Sequence, residues 1–489
     1  MRTCGVDHKH EQQDVPDHVQ KNCSTSRATP RVVARCSEGK MAKDPASGPD
    51  SGERRAHGRR LRKACSRVEQ ARCKAAADRP DPVDVIVAAN RGRLPQLLPI
   101  KYQRMAASVF GFFRGAAPVM AADLASQPRC GLTVQICGDA HVRNLGSFAA
   151  PDGRLVFDIN DFDETVRGPF EWDIKRLATS LVLAGREAGD NDKHGKQAVR
   201  IFVRAYREAM CGFSRMTVVD LARYRVHRHP HFAPLQSVLR KAARSTPRHS
   251  LERLTVPAGS ARRFKPQPPL VTRVDPRTAS RVLAALKSYR QTLSPERQHF
   301  FDQYHPQDVT FKVVGTGSVG LRDYVVLLEG NGRSDALFLQ VKEEPPSCYA
   351  RYLSGSGRQE NEGRRVVEGQ RALQAQSDIF LGWSTMQGRD YLVRQLADHK
   401  ASIEVDDLAG EGLLQYALVC GEVLAKGHAR SGDPCALAGY LGSSTKFDVA
   451  IASFAVAYAD QTASDHKAFV AAVNARKIKT TGRVASKVT

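Results

Sequence analysis

Residues Cys137-Gly138-Asp139-Ala140-His141-Val142-Arg143-Asn144 place an aspartate five positions before an asparagine. Fourteen residues past Asn144, the run LVFDINDFDE brings Asp158, Asp161, Asp163 and Glu164 after an apolar, strand-like stretch. Phosphoryl transfer uses such a set: one Asp accepts the proton of the attacking hydroxyl, while an Asn and a second Asp hold the magnesium that neutralises the phosphates. In that chemistry Asp139 is the general base, and Asn144 and Asp158 are the metal ligands. Asp158 is favoured by its spacing from Asn144 and its place after Leu-Val-Phe, with Asp161 and Asp163 as close rivals. His141 and Arg143 lie inside the loop, in reach of substrate or phosphate; a structural hydrogen bond is an equal role for His141.

A second constellation lies far downstream. Gly315-Thr316-Gly317-Ser318-Val319-Gly320 matches GxGxxG, and β-branched residues flank it on both sides. A dinucleotide fold needs strand, glycine turn, then helix. Strand, turn, strand is instead the arrangement in which Gly315, Gly317, Ser318 and Gly320 cover the phosphates of ATP, because glycine lets the backbone approach closely. Lys342, on the apolar run ALFLQVKEE, is placed to clamp the α- and β-phosphates. A following helix offers Glu360, Glu362 or Glu368 as its partner; Glu368, within GRRVVEGQRALQ, is preferred. YLVRQLADH then links the two halves of the site.

The elements that must position these groups follow from periodicity. Residues 1–80 are polar and basic, with 18 Lys/Arg against 10 Asp/Glu, and read as a disordered tail. Met41 within it is a second plausible start. Residues 81–224 hold helices, then the strands GLTVQIC and RLVFDI as a hairpin-like pair around the catalytic-loop motif, then the helices EWDIKRLATSLVLAGREAG and KQAVRIFVRAYREAMCGF. Residues 225–278 read as a loop-rich basic connection. Its His227, His229 and His231 form a metal site of low merit, since a proline interrupts them and no carboxylate or cysteine is near. Residues 279–400 form a β-rich unit with the glycine loop and Lys342, residues 401–475 a set of closing helices, and 476–489 a tail.

Bulk properties narrow the class. The chain has 489 residues, 42% hydrophobic and 26% charged, as in ordinary globular proteins. No run reaches the roughly 18–20 apolar residues of a membrane helix, and the first residues lack a secretory apolar core; a cytoplasmic location is expected. The eleven cysteines include no CxxC pair and read as free thiols. The net charge of +23 admits nucleic acid as a partner. Without interleaved aromatics or a nucleic-acid motif, a solvated arginine-rich surface is the preferred reading, even for the basic tract Arg240–Arg290.

Several runs resemble a bacterial family known as domain of unknown function 2252: KYQRMAASVFGFFRGAA, CGDAHVRNLG, FDINDFDETVRGPFEWDIKRLATSL, KVVGTGSVGLRDYVVLLEG, LFLQVKEE, RVVEGQRALQAQSDIFLGW, LAKGHARSGD and FAVAYADQT. Together they extend over nearly all the ordered chain. More distantly, the short motifs and the LA…HA pattern of LLQYALVCGEVLAKGHARSGD resemble aminoglycoside and homoserine kinase-like phosphotransferases. That resemblance implies a brace for the loop in Asp173 of EWDIKRLA, and it has a His where this chain has Cys137.

The resulting expectation is an α+β chain with a protein-kinase-like two-lobed fold. It is circularly permuted, because the glycine loop and Lys342 follow the catalytic loop by about 170 residues instead of preceding it. The expected function is ATP- and Mg2+-dependent phosphotransfer to a small-molecule acceptor. The alternatives are a nucleotide-binding module without turnover and a metal-dependent phosphoester hydrolase.

Overall fold

The structure is a computed structural model that describes residues 48–74, 76–150, 152–226, 233–244, 247–259, 261–354, 359–396 and 401–481. The chain divides into Met1–Gly48 and Pro49–Thr489, and every element below belongs to the second unit. Met41, the histidines 227, 229 and 231, and residues 482–489 of the expected tail lie outside the described residues.

The chain is mixed α and β. One sheet has six antiparallel strands in the spatial order Gly382–Met386, Arg389–Gln395, Ala336–Glu343, Asp323–Glu329, His305–Lys312 and Val271–Arg273. Its central strand Ala336–Glu343 is buried along almost its whole length. Alternation of side chains along a strand sends Leu337, Leu339 and Val341 into a core with Val282, Leu286 and Tyr289 of the helix Pro276–Arg290. The opposite face carries Phe338, which packs with Leu251 and Phe264, and then the polar Gln340 and Lys342. A lysine thus rides on a strand whose neighbours on both faces are out of water.

The larger core gathers around the helices Phe170–Glu187, Asp192–Phe213, Glu411–Ser431 and Lys446–Asn474. The helix Phe170–Glu187 is buried from Phe170 through Gly185, including Glu171, Asp173, Lys175 and Arg176. Charged groups stay inside a protein only when paired, so this helix announces a set of specific polar partners. No helix among the described residues is long and apolar enough to cross a membrane, and the described cysteines are all free.

Three expectations change. Thr133–Ile136 and Leu155–Ile159 do not pair: Leu155–Ile159 forms its hairpin with Leu145–Ala149, and Thr133–Ile136 pairs with Val166–Pro169. The strand LGSFA, rich in small residues, lacks the β-branched signature that marks the others. The loop-rich connection contains the helices Ala233–Arg244 and Pro247–Leu254 and a hairpin of Thr255–Ala258 with Ala261–Phe264.

Finally, part of the expected tail is folded. Asp50 caps the helix Ser51–Leu61 in a capping box with Glu53, and the helix lies on Pro434–Leu441. It docks through Gly58, whose backbone meets that of Ala436 and Tyr440, through Arg54 to Asp433 at 3.0 Å, and through Arg62 to the Tyr440 carbonyl at 2.9 Å. Contacts to backbone carbonyls leave no apolar stripe in the sequence. Gly58→Val should lower the unfolding free energy by about 1–3 kcal/mol through overpacking, whereas Arg60→Ala on the exposed side stays within about 0.5 kcal/mol; denaturant titration of both variants checks this.

Candidate active site

The loop Cys137–Asn144 is held from beneath by one face of the helix Phe170–Glu187. Asp173, Arg176 and Ser180 stand at i, i+3 and i+7, the spacing of a single helical stripe. The Asp173 carboxylate accepts the backbone N–H of Cys137 (2.7 Å) and of Gly138 (2.9 Å). Arg176 donates through Nε to Asp139 Oδ1 (2.7 Å) and through Nη2 to the Phe113 carbonyl (3.1 Å), and Ser180 Oγ accepts from Val142 N (3.2 Å). Gly138 adopts φ +81°, and a Cβ there would meet the Glu164 carbonyl carbon at 2.8 Å; only glycine permits this turn. A second helix, Glu411–Ser431, adds His428, whose Nε2 lies 3.3 Å from Asp173 Oδ2 and whose Nδ1 faces the Tyr206 hydroxyl at 2.9 Å. Asp173 is therefore a brace, as expected, and His428 supplies an imidazole that the CGD tripeptide lacks. Burial and the Asp173 charge push the Cys137 thiol well above its usual range, which keeps it inert.

Within the loop, Asn144 Nδ2 donates to the Asp139 carbonyl at 2.9 Å, leaving its Oδ1 without a hydrogen bond among the described residues. His141 Nδ1 accepts from Arg143 N at 3.2 Å, and its Nε2 lies 3.8 Å from Asp139 Oδ2. Burial lowers its pKa to about 3 against the pull of Asp139, so the ring is neutral and carries its proton on Nε2. The ladder Ile136 to Val166, with the Thr165 hydroxyl on the Ile136 carbonyl at 2.6 Å, closes the acidic run onto this loop.

The acidic residues divide. Asp158, expected to bind the metal, faces the helix Glu411–Ser431, where it takes the Lys426 ammonium and the Ile159 N–H at 2.9 Å. That assignment is corrected: Asp158 is half of a buried ion pair, and it does not line the cavity. Asp161 and Asp163, two residues apart, both line it. Asp163 is gripped by Lys342 and accepts the Ser318 hydroxyl at 3.1 Å. Its burial is outweighed by the Lys342 charge, which holds the carboxyl low. Burial and the neighbouring Asp163 push Asp161 up to about 6.

Glu368 is also corrected as the partner of Lys342. It pairs with Arg364 at 2.7 Å on the exposed side of the helix Glu362–Leu373. Lys342 instead has Glu344 at 3.4 Å, two residues on and just past the end of its strand, where the extended chain keeps it on the same side. Sequence reasoning passed over Glu344, and over Arg365, which ties the helix to the acidic run through the Asp163 carbonyl (3.0 Å) and the Thr165 carbonyl (2.6 Å). The signal for Glu344 was its i+2 spacing from a strand lysine.

The glycine loop spans the connection between His305–Lys312 and Asp323–Glu329, an antiparallel pair as expected. Gly315 and Gly320 have φ of +67° and +92°. The loop carbonyls face cations of an earlier segment: Lys101 Nζ donates to Gly317 O (2.9 Å), Arg93 to Gly317 and Val319 O (2.8 Å each), and Arg104 to Gly315 O. A cavity of about 570 Å³ results, lined among others by Asp139, Asn144, Asp161, Asp163, Gly317 and Ser318. His141 and Gly315 line it too; Gly320, Lys342, Glu368 and Asp158 do not.

Among the described residues no three His, Cys, Asp or Glu side chains converge as a metal group. Asp161, Asp163 and the amide oxygen of Asn144 still fit magnesium, which takes one or two carboxylates and completes its shell with waters and phosphates. Asp163 Oδ1 and both oxygens of Glu344 are buried without a hydrogen-bond partner, so this corner holds acceptor capacity that the protein leaves unused.

Fold and site thus define an α+β protein with one polar cavity built from two distant sequence motifs. The family of uncharacterized proteins conserved in bacteria (DUF2252) matches residues 93–472, and the chain belongs to it. No curated protein and no solved structure matches.

Two measurements separate the ion-paired carboxylate Asp158 from the cavity-lining Asp161. Asp158→Ala leaves Lys426 buried and unpaired and should cost about 3–5 kcal/mol, most of it regained in Asp158→Leu/Lys426→Met; chemical denaturation reads both. Asp161 has a folded pKa raised above its unfolded value, so its contribution to stability is full at low pH and lost as pH rises through about 6. Asp161→Asn should therefore stabilise the fold by about 2 kcal/mol at pH 7–8 and by nothing near pH 4, read as thermal midpoints across that range.

Proposed function

We propose that the chain is an ATP- and magnesium-dependent phosphotransferase acting in the cytoplasm on a small hydroxyl-bearing acceptor. Its sheet and helical halves correspond to the two lobes of a protein-kinase-like fold with permuted motif order. One observation carries this reading: Asp139 and Asn144 share a single cavity with Asp161, Asp163 and the glycine loop, although about 170 residues separate the two motifs. The helix Glu362–Leu373 between the lysine strand and the strand Gly382–Met386 supports it as well.

In this reaction the acceptor oxygen forms a bond to the γ-phosphorus of ATP. The bond from that phosphorus to the β,γ-bridging oxygen breaks, and its electron pair leaves with ADP. The acceptor proton passes to Asp139 Oδ2, since Oδ1 is occupied by Arg176. Proton loss comes late in such a loose transition state, so a carboxylate that mainly orients the hydroxyl suffices. Asp161, Asp163 and Asn144 would hold magnesium, which when bound would neutralise charge at the phosphates. Lys342 exchanges Asp163 for the α- and β-phosphates while Glu344, in place of Glu368, retains it. The glycine loop covers the phosphates; at Gly317 a Cβ would meet nothing closer than the Arg114 carbonyl at 3.9 Å, so its lack of a side chain suits a ligand better than the fold.

A second reading, nucleotide binding without turnover, draws on the grip of Arg176 on Asp139. Calorimetry of the full chain with ATP tests the shared part: binding should require magnesium and weaken at least roughly tenfold in Lys342→Ala, and absence of magnesium-dependent binding refutes both readings. Asp139→Asn should keep that affinity and lower ADP production with an acceptor by roughly 10²–10⁴-fold. Equal ADP production in the variant and the parent would leave only the binding module.

A further inference from the structure

Four cations line the cavity without a carboxylate partner among the described residues: Arg93, Lys101, Arg114 and the exposed Arg351. Lys101 is 3% exposed, donates to the Gly317 carbonyl and has no carboxylate within ion-pair distance. Arg114, on the helix Val109–Gly115, lines the cavity, and its guanidinium makes no hydrogen bond or ion pair with any described residue; its Nε is fully buried. Of the other cavity-lining arginines, Arg93 holds the loop, Arg143 meets the half-exposed Glu404 at 3.0 Å, and Arg351 is exposed to water, so Arg114 is the one that is both partly buried and without a polar partner. An unpaired, partly buried guanidinium is costly, and proteins keep such groups where a ligand supplies the missing charge.

Position tells which ligand. Lys101 and Arg93 attend the glycine loop and hence the nucleotide phosphates. Arg114 follows Phe113, whose carbonyl and ring hold Arg176 (3.1 Å to the carbonyl, 4.3 Å over the ring), and Arg176 in turn holds Asp139. Arg114 lines the same cavity as Asp139. Arg114 therefore stands where the glycine loop, whose Gly317 faces its carbonyl, meets the Asp139 brace, which is where the acceptor hydroxyl must lie.

We propose that Arg114 anchors an anionic group of the acceptor, so that the substrate is a hydroxyl compound that also carries a carboxylate or phosphate. This rests on the phosphotransferase reading, and the planar, five-donor guanidinium is suited to bidentate contact with either anion. Arg143, one side chain away, adds charge at the mouth.

The test uses the full chain saturated with magnesium and a non-hydrolysable ATP analogue, titrated with glycerol, glycerate and glycerol 3-phosphate. At least one anionic probe should bind tenfold or more tighter than glycerol. Arg114→Gln should remove that gain, a loss of roughly 10–100-fold for one charged hydrogen-bonding group, with Arg114→Lys between. Preference for glycerate or for glycerol 3-phosphate identifies the anion. Analogue affinity in Arg114→Gln should change less than about twofold, and the thermal midpoint should hold or rise, since no protein contact is lost. Should the analogue not bind, the phosphotransferase reading falls, and the same titration of the nucleotide-free chain still decides the role of Arg114. The proposal is overturned by equal binding of all three probes, by unchanged anion affinity in Arg114→Gln, by loss of nucleotide affinity instead, or by a midpoint several degrees lower.

Discussion

The bond of the Asp173 carboxylate to two consecutive backbone N–H groups, those of Cys137 and Gly138, is the constraint on which the rest of the site depends. A carboxylate within a fully buried helix costs several kcal/mol unless its lone pairs are filled. Here the loop fills them, and His428 takes the remaining direction. The same helix turn by turn places Arg176 under Asp139 and Ser180 under Val142. The loop conformation and the burial of the helix are therefore mutually required: neither has a satisfied alternative without the other. This is how the eight-residue loop Cys137–Asn144 acquires a defined shape.

Part of the candidate site was legible in the sequence because its polar residues sit where packing alone would not put them. A lysine on ALFLQVKEE, a GD pair after an apolar strand and a glycine cluster between β-branched runs each break local patterning, and such breaks mark function. What failed was partner choice. Asp158 was preferred over Asp161 and Asp163 by spacing along the chain, but spacing does not say which face of a strand a side chain takes. Asp158 lies within Leu155–Ile159 opposite Gly146 and turns toward Lys426, more than 260 residues away. Asp161 and Asp163 lie past the strand and share a direction. Glu368 was chosen for helical position, yet Arg364 one turn earlier captures it. The ordered segment before residue 80 escaped notice because its helix docks through glycine and arginine-to-carbonyl contacts, which carry no hydrophobic period.

Stability is spent unevenly across the molecule. The paired charges Arg79 with Asp123 and Asp465, and Arg207 with Asp448, tie helices together away from the cavity with complete geometry. Inside it, Asp163 Oδ1, both Glu344 oxygens, Lys101 and Arg114 stand incompletely satisfied. Lys342 offsets the charge of Asp163 and Glu344 there, yet part of the hydrogen-bonding capacity of this chamber is left without a protein partner.

The long reach of the pairs Lys426 with Asp158 and His428 with Asp173 has a consequence during synthesis. Both partners from the helix Glu411–Ser431 leave the ribosome more than 250 residues after the carboxylates they satisfy. Contacts of such separation form last, since the chain must close a large loop to make them. Until then the nascent first half holds two core carboxylates without these partners. The chain therefore completes these contacts only once the helix Glu411–Ser431 has been synthesised, and translation products that stop before it have the motifs without these partners.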